Sequence, residues 1–109
     1  MEVRPCTVEK YETASGDCPF DDWFNNLGDR SGQARIDARI ARLRLGSFGE
    51  WDDVGEGVIE LIFKGKGPGY RVYCGQDGQR LIILLGGGTK QTQQSDIKRA
   101  KECWEDYNR

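Results

Sequence analysis

The amino-acid sequence predicts a single α+β domain, in which helices cover one side of a small antiparallel, partly mixed and twisted sheet. The length of 109 residues is enough for one hydrophobic core, so residues 1–109 are expected to form one unit. Two segments with helical features precede a set of short apolar runs that are separated by turn residues, and a third helical segment follows them. This order of elements is typical of a sheet whose helices are segregated from its strands.

The N-terminal part of the chain predicts a strand followed by a short helix. Residues 7–13, TVEKYET, alternate weakly between apolar and polar types, which favours an edge strand. Residues 18–29, CPFDDWFNNLGD, predict a helix because Pro19 suits a first turn and Gly28 can end it. Four apolar side chains would then share one face of this helix: Phe20, Trp23, Phe24 and Leu27.

A second helix is predicted over residues 31–45, SGQARIDARIARLRL, and Gly46 would end it. Its apolar residues recur at i, i+4 and i+7, as expected for a helix with one buried face: Ile36, Ile40 and Leu43. One residue away, arginines recur at the same spacing: Arg35, Arg39 and Arg42. This row of guanidinium groups is consistent with a solvated helix face, a phosphate-facing row or a docking surface for an acidic partner.

Three apolar runs then predict a meander of antiparallel strands: VIELIFK, YRVYC and RLIILL. Gln76-Asp77-Gly78 is a hairpin signal between the second run and the third. Alternation along the second run puts Arg71 and Tyr73 on the side opposite to Val72. We therefore expect Arg71 and Tyr73 to face solvent or a ligand.

The last part of the chain predicts a glycine-rich strand end followed by a helix. The triplet Gly86–Gly88 would let the backbone bend or approach a substrate closely. Thr92 can cap a helix that begins near it. One side of this helix is apolar: Ile97, Ala100, Trp104 and Tyr107.

The amino-acid composition argues against a membrane protein, a secreted protein and a metal-binding protein. No apolar run is long enough to span a membrane, and the charged N-terminus lacks the apolar core of a secretory signal, so a cytoplasmic location is expected. The four cysteines form no CxxC pair and the chain has no histidine, so we expect small buried thiols and no metal or other cofactor. The net charge is −2, but acidic and basic residues are segregated along the chain. Such segregation either places a basic face on an acidic protein or neutralises charge across the fold.

Three strings in the sequence resemble the HigB-like branch of the RelE/ParE superfamily, the toxins of bacterial type II toxin–antitoxin modules. These strings are GEGVIEL at residues 55–61, GPGYRVY at residues 67–73 and GGTKQTQQSDI at residues 87–97. The likeness covers roughly residues 8–104. It implies a RelE-like fold, an endoribonuclease that cuts mRNA on the translating ribosome without a metal, and neutralisation by an antitoxin, usually a helix-turn-helix protein.

The resemblance also implies roles for particular residues. A ribose 2′-hydroxyl would attack the adjacent phosphate, with Arg71, Lys90 and Tyr73 as catalytic residues. Four other residues would contact RNA: Lys64, Lys66, Gln91 and Lys98. The antitoxin would bind the arginine row of the second helix: Arg35, Arg39 and Arg42. Two alternatives are a ParE-like inhibitor of DNA gyrase and a weak or inactive homologue that acts as a protein-binding module.

Overall fold

The computed structural model describes residues 4–65 and 67–109, which form a mixed five-stranded sheet and three α-helices. In chain order the elements are β1 (Thr7–Lys10), α1 (Pro19–Asn25), α2 (Arg30–Arg44), β2 (Trp51–Gly55), β3 (Val58–Ile62), β4 (Tyr70–Asp77), β5 (Leu81–Thr89) and α3 (Gln93–Tyr107), with a 3-10 turn over Lys90–Thr92 before α3. The α+β class predicted from the sequence is confirmed.

The sheet has the strand order β1-β5-β4-β3-β2. The meander from β2 to β5 is antiparallel, whereas β1 pairs in parallel with β5. Strand β2 was not predicted, because its WDDVG sequence looks like a polar connection. It lies at the edge of the sheet, where its first three side chains are exposed and need no apolar character.

Helices pack on both faces of the sheet, so the prediction that they all cover one side is wrong. On one face, α1 and α2 pack against Val72 and Leu84 through an apolar cluster that includes Phe20, Ile36 and Leu43. On the opposite face, the α3 residues Ala100, Ile97 and Trp104 pack against Tyr73 and Leu85. The apolar helix faces predicted from periodicity are nevertheless the buried ones. No helix in the described residues is both long and apolar enough to cross a membrane.

The ends of β1 and α3 are joined by a hydrogen bond between Tyr11 and Asp106. The buried Tyr11 hydroxyl donates to Oδ2 of Asp106 over 2.5 Å. This bond and the burial of the ring raise the pKa of Tyr11 to about 12. Since deprotonation would put two negative charges side by side, the neutral phenol is the form that stabilises the fold.

Replacing Tyr11 with phenylalanine is expected to make the free energy of unfolding fall less steeply as the pH rises above 10. The pKa of Tyr11 is higher in the folded chain than its ordinary value of 10.0, so its stabilisation is present below pH 10 and is lost as pH rises towards 12. Urea unfolding of both proteins at several pH values between 8 and 12 measures the difference. Equal slopes for the two proteins above pH 10 would contradict this account of Tyr11.

Candidate functional site

The side chain of Arg71 lies over the α3 face of the sheet, between two neighbouring strands. In the strand register Arg71 is opposite Ile62 of β3 and Gly88 of β5. Its Nε atom is 3.8 Å from Oε1 of Glu60, a side chain that is only 2% exposed. Glu60 also accepts hydrogen bonds from the Tyr73 hydroxyl at 2.9 Å and from Nε2 of Gln93 at 2.8 Å. A buried carboxylate therefore joins β3, β4 and the start of α3 beneath Arg71.

The guanidinium group of Arg71 is incompletely paired. Its Nε atom is buried but has no hydrogen-bond partner among the described residues, because Glu60 is too far away for a hydrogen bond. Its Nη1 atom makes only long hydrogen bonds, to the carbonyl oxygens of Gly69 at 3.4 Å and Tyr70 at 3.3 Å. The side chain is 13% exposed, so one part of it is open to solvent. Arg71 is thus held close to Glu60 while it keeps donors for another acceptor.

Lys90 lies beside Arg71, on the opposite side of Gly69. A Cβ atom built on Gly69 would lie 3.2 Å from Cβ of Lys90 and 3.8 Å from Nη1 of Arg71. Lys90 is exposed in the turn that precedes α3, and its amide donates to the carbonyl oxygen of Pro68. We call the group formed by Arg71, Lys90, Glu60 and Gln93 the Arg71 site. It brings together two of the three residues that the sequence nominated as catalytic.

The third, Tyr73, does not face solvent or a ligand, so that prediction is wrong. Its side chain is fully buried under α3 and its hydroxyl is bound to Glu60. Burial, followed by this hydrogen bond, raises the pKa of Tyr73 far above its ordinary value. A buried phenol that is hard to ionise cannot stack on a base or shuttle a proton to a substrate, so its role in this structure is to support Glu60.

The residues nominated as RNA contacts lie in several places. Gln91 and Lys98 are exposed near the start of α3, and neither side chain makes a hydrogen bond or ion pair within the described part of the chain. Lys64 is 78% exposed and pairs with Glu50 at 2.9 Å. Lys66 lies outside the described residues.

Lys64 lies in a groove that is also lined by three arginines of α2: Arg35, Arg39 and Arg42. The groove has a volume of about 580 Å³, and Arg35, Arg42 and Lys64 line it around an apolar floor that includes Phe63. We call it the basic groove. The loop between β3 and β4 separates it from the Arg71 site, since Gly67 approaches Arg35 on one side and Gly69 approaches Lys90 on the other.

Arg39 is not part of an exposed arginine row, and the prediction is wrong for this residue. Arg39 is only 6% exposed, and its guanidinium donates to three backbone carbonyl oxygens, those of Phe48, Glu50 and Ile62. It also lies 4.9 Å from the centre of the Phe63 ring. Burial lowers the pKa of Arg39. Arg39 therefore fixes the loop before β2 to α2 and cannot receive a partner's carboxylate.

The glycine triplet lies inside β5 and allows side chains to approach the strand closely. A Cβ atom on Gly87 would lie 2.3 Å from the Trp23 ring, and one on Gly88 would lie 1.8 Å from Oδ2 of Asp96. The predicted close approach is therefore made by the protein's own side chains. The Thr92 hydroxyl does not cap α3 as predicted, because it donates to Asp96 instead.

Sequence reasoning missed Glu60 and Gln93, which hold the Arg71 site together. Glu60 lies in an apolar run, and an acidic residue between apolar neighbours is the one local signal of a buried polar network. Gln93 carries no comparable signal, because it contacts Glu60 across 33 positions of the chain.

Comparison with known proteins identifies the family. Residues 22–105 match the family model described as "Phage derived protein Gp49-like (DUF891)", and this family is associated with toxin–antitoxin systems. A protein of Haemophilus influenzae, described as uncharacterized, is 46% identical over 82 residues, which are 75% of this chain and 82% of that protein. No solved structure matches the chain. By both measures of sequence similarity, the chain belongs to the Gp49-like family of phage-derived proteins.

Proposed function

We propose that this protein is a RelE-type, HigB-like toxin that cleaves mRNA at the Arg71 site without a metal ion. The observation that carries the proposal is the incompletely paired guanidinium of Arg71. The Nε atom of Arg71 is buried and faces Glu60, but Nη1 makes only long hydrogen bonds, so the terminal nitrogens of the guanidinium are ready to bind an anion with their planar fork. Lys90 starts from the other side of Gly69, so its exposed side chain would supply a second cation next to Arg71. Two neighbouring cations over a sheet suit a phosphodiester group.

The proposed reaction is attack of a ribose 2′-hydroxyl on the adjacent phosphorus. A bond forms from the 2′-oxygen to phosphorus, the 2′-hydroxyl proton passes to water, and the bond to the 5′-oxygen breaks, which leaves a 2′,3′-cyclic phosphate and a 5′-hydroxyl end. Arg71 would stabilise the charge that develops on the phosphoryl oxygens, and Lys90 would supply a proton to the leaving 5′-oxygen. With no histidine in the chain, much of the rate would come from positioning, to which a ribosome-bound transcript would contribute.

We further propose that the basic groove binds the antitoxin. Arg35 and Arg42 border it together with Lys64, and the Glu50 partner of Lys64 is its acidic side chain. This charge suits an acidic segment of a helix-turn-helix antitoxin. Arg42→Glu should therefore weaken a complex with the protein encoded by the adjacent reading frame, whereas Arg44→Glu, which is exposed on the same helix but outside the groove, should weaken it much less.

Induced expression followed by mapping of RNA ends tests the nuclease proposal. We expect growth arrest together with new 5′-hydroxyl ends inside translated regions, and loss of these ends when translation initiation is blocked. Arrest with intact transcripts would overturn the proposal. If DNA breaks accumulated instead, inhibition of gyrase would be the better assignment.

A further inference from the structure

The basic groove and the Arg71 site meet at a ridge formed by Gly67, Pro68 and Gly69, which we call the glycine ridge. Gly67 and Pro68 are exposed, and Gly69 is partly exposed. A Cβ atom built on Gly67 would lie 3.2 Å from Nη2 of Arg35. One built on Gly69 would lie 3.8 Å from Nη1 of Arg71. One guanidinium group therefore borders each side of the ridge.

The guanidinium group of Arg35 has unused donors. Its central carbon atom lies 5.9 Å from the centre of the Tyr70 ring, and its side chain makes no hydrogen bond or ion pair with any described residue. The nearby Asp29 carboxylate is engaged elsewhere, because it accepts from the Tyr70 hydroxyl at 2.6 Å and from the Gly32 amide at 3.0 Å. Asp29 reduces the positive potential at Arg35 but leaves its donors free. Arg35 is partly exposed, so an anion can reach it.

The two guanidinium groups are close enough for one nucleic-acid strand to reach both. Gly67 and Gly69 are two positions apart, and two residues of chain span at most about 7 Å. With the contacts on each side of the ridge, this limits the distance between Nη2 of Arg35 and Nη1 of Arg71 to about 17 Å. A few nucleotides of single strand can span that distance. The two glycines add no side chains to the ridge, so a sugar-phosphate backbone can cross it closely.

We propose that a single strand of RNA bound at Arg71 continues across the glycine ridge and places a second phosphate on Arg35. The inference rests on the RNA binding at Arg71 that the proposed function assigns. Helices α2 and α3 cover opposite faces of the sheet, so the strand must bend around the end of the sheet to reach both arginines. A duplex of this length is too stiff for such a bend, so the substrate class is unpaired RNA.

Beyond the ridge, the strand would enter the basic groove. Lys64 also lines this groove, but it is paired with Glu50 at 2.9 Å, which leaves Arg35 as the cation next to the ridge with free donors. An antitoxin segment seated in the groove would cover Arg35. RNA and antitoxin would therefore exclude each other at Arg35, although not at Arg71.

Binding of RNA that cannot be cleaved tests the inference separately from catalysis. The probes are a dinucleotide and a hexanucleotide of 2′-O-methyluridine, which lack the hydroxyl that would attack phosphorus. We expect the hexanucleotide, but not the dinucleotide, to shift the ¹H–¹⁵N NMR signal of Gly67. Arg35→Ala should weaken hexanucleotide binding about two- to fivefold, as for a surface ion pair, and leave dinucleotide binding unchanged. The slope of log K against log salt concentration should also fall by about 0.7, the value for one phosphate contact to a single strand.

Arg44→Ala is the matched control, because Arg44 is exposed on the same helix but does not line the basic groove. Its salt slope should equal that of the unmodified protein. Arg35→Lys keeps the charge and should restore the slope, which separates phosphate binding from the contact of Arg35 with the Tyr70 ring.

The inference is overturned if the hexanucleotide does not bind, if Arg35→Ala and Arg44→Ala lower the salt slope equally, or if an RNA duplex shows the same dependence on Arg35. Failure of the nuclease proposal has a different signature. Intact transcripts in cells, together with binding that depends on Arg35, would remove the nuclease and keep the RNA path. Binding that depends on Arg71 but not on Arg35 would remove the path and keep the nuclease.

Discussion

Replacement of Arg71 with alanine is expected to reduce transcript cleavage at least about a hundredfold, the usual effect of removing one donor that stabilises a transition state. Arg71 contributes the guanidinium that the structure leaves incompletely paired, and none of the other described cations lies within the contacts of Glu60. Counting new RNA 5′ ends per transcript after induction measures the loss. Growth arrest should be relieved in parallel.

Arg80→Ala is the control for this experiment. Arg80 is an exposed arginine in the turn between β4 and β5, at the end of the hairpin opposite Arg71. The Arg80→Ala variant should cleave transcripts at the same rate as the unmodified protein. Arg71→Lys keeps the charge but lacks the planar fork, so an intermediate rate is expected. If Arg71→Ala folds normally and cleaves as well as Arg80→Ala, then the Arg71 site is not the catalytic site.

Loss of folding must be separated from loss of chemistry in this test, because Glu60 is buried beneath Arg71. Without Arg71, the carboxylate of Glu60 keeps its hydrogen bonds from Tyr73 and Gln93. Glu60 nevertheless loses its nearest cation, so the thermal midpoint of Arg71→Ala should fall by roughly 10 °C, and cleavage is compared well below that midpoint. A Glu60→Leu variant would instead leave the Tyr73 hydroxyl buried without an acceptor, which disturbs the fold as well as the site.

The sequence predicted the helices better than the face of the sheet that each one covers. The apolar spacing in α2 fixed which of its faces is buried, and Ile36 and Leu43 are fully buried in the structure. Strand β4 has no such asymmetry, because Val72 and Tyr73 are both buried on opposite faces. Tyrosine fits a wet surface or a core equally well, so alternation along the strand could not show that α3 covers Tyr73.

The candidate site could be predicted only in part, because its residues come from several distant parts of the chain. Arg71 and Lys90 were nominated because they lie in strings that resemble toxin motifs, and the structure places them on either side of Gly69. The partners that set the environment of Arg71 come from other elements. Glu60 lies on the adjacent strand and Gln93 on α3, and only the strand register and the packing of α3 bring them together. Helical periodicity likewise could not distinguish Arg39 from Arg42.

Replacement of Arg39 with alanine is expected to lower the free energy of unfolding by about 2 to 3 kcal/mol. The guanidinium of Arg39 binds the carbonyl oxygens of Phe48 at 2.8 Å and Ile62 at 2.8 Å, and it also binds that of Glu50. The Glu50 oxygen keeps a second donor, the amide of Ile62 at 3.0 Å. Ile62 lines the basic groove, so water would reach its carbonyl oxygen, which is why the loss should not reach the roughly 3 to 5 kcal/mol of a fully buried charge pair.

Arg42→Ala is the matched control, since Arg42 is exposed on the same helix, three positions further along. Its change in stability should stay within about 0.5 kcal/mol. Urea unfolding of the two variants and the parent protein measures both values. Equal stability of Arg39→Ala and Arg42→Ala would mean that the loop before β2 holds its place without the guanidinium. A large loss in Arg39→Ala alone would show that a charge within the arginine row of α2 stabilises the fold, and would leave Arg35 and Arg42 as the arginines available to a partner.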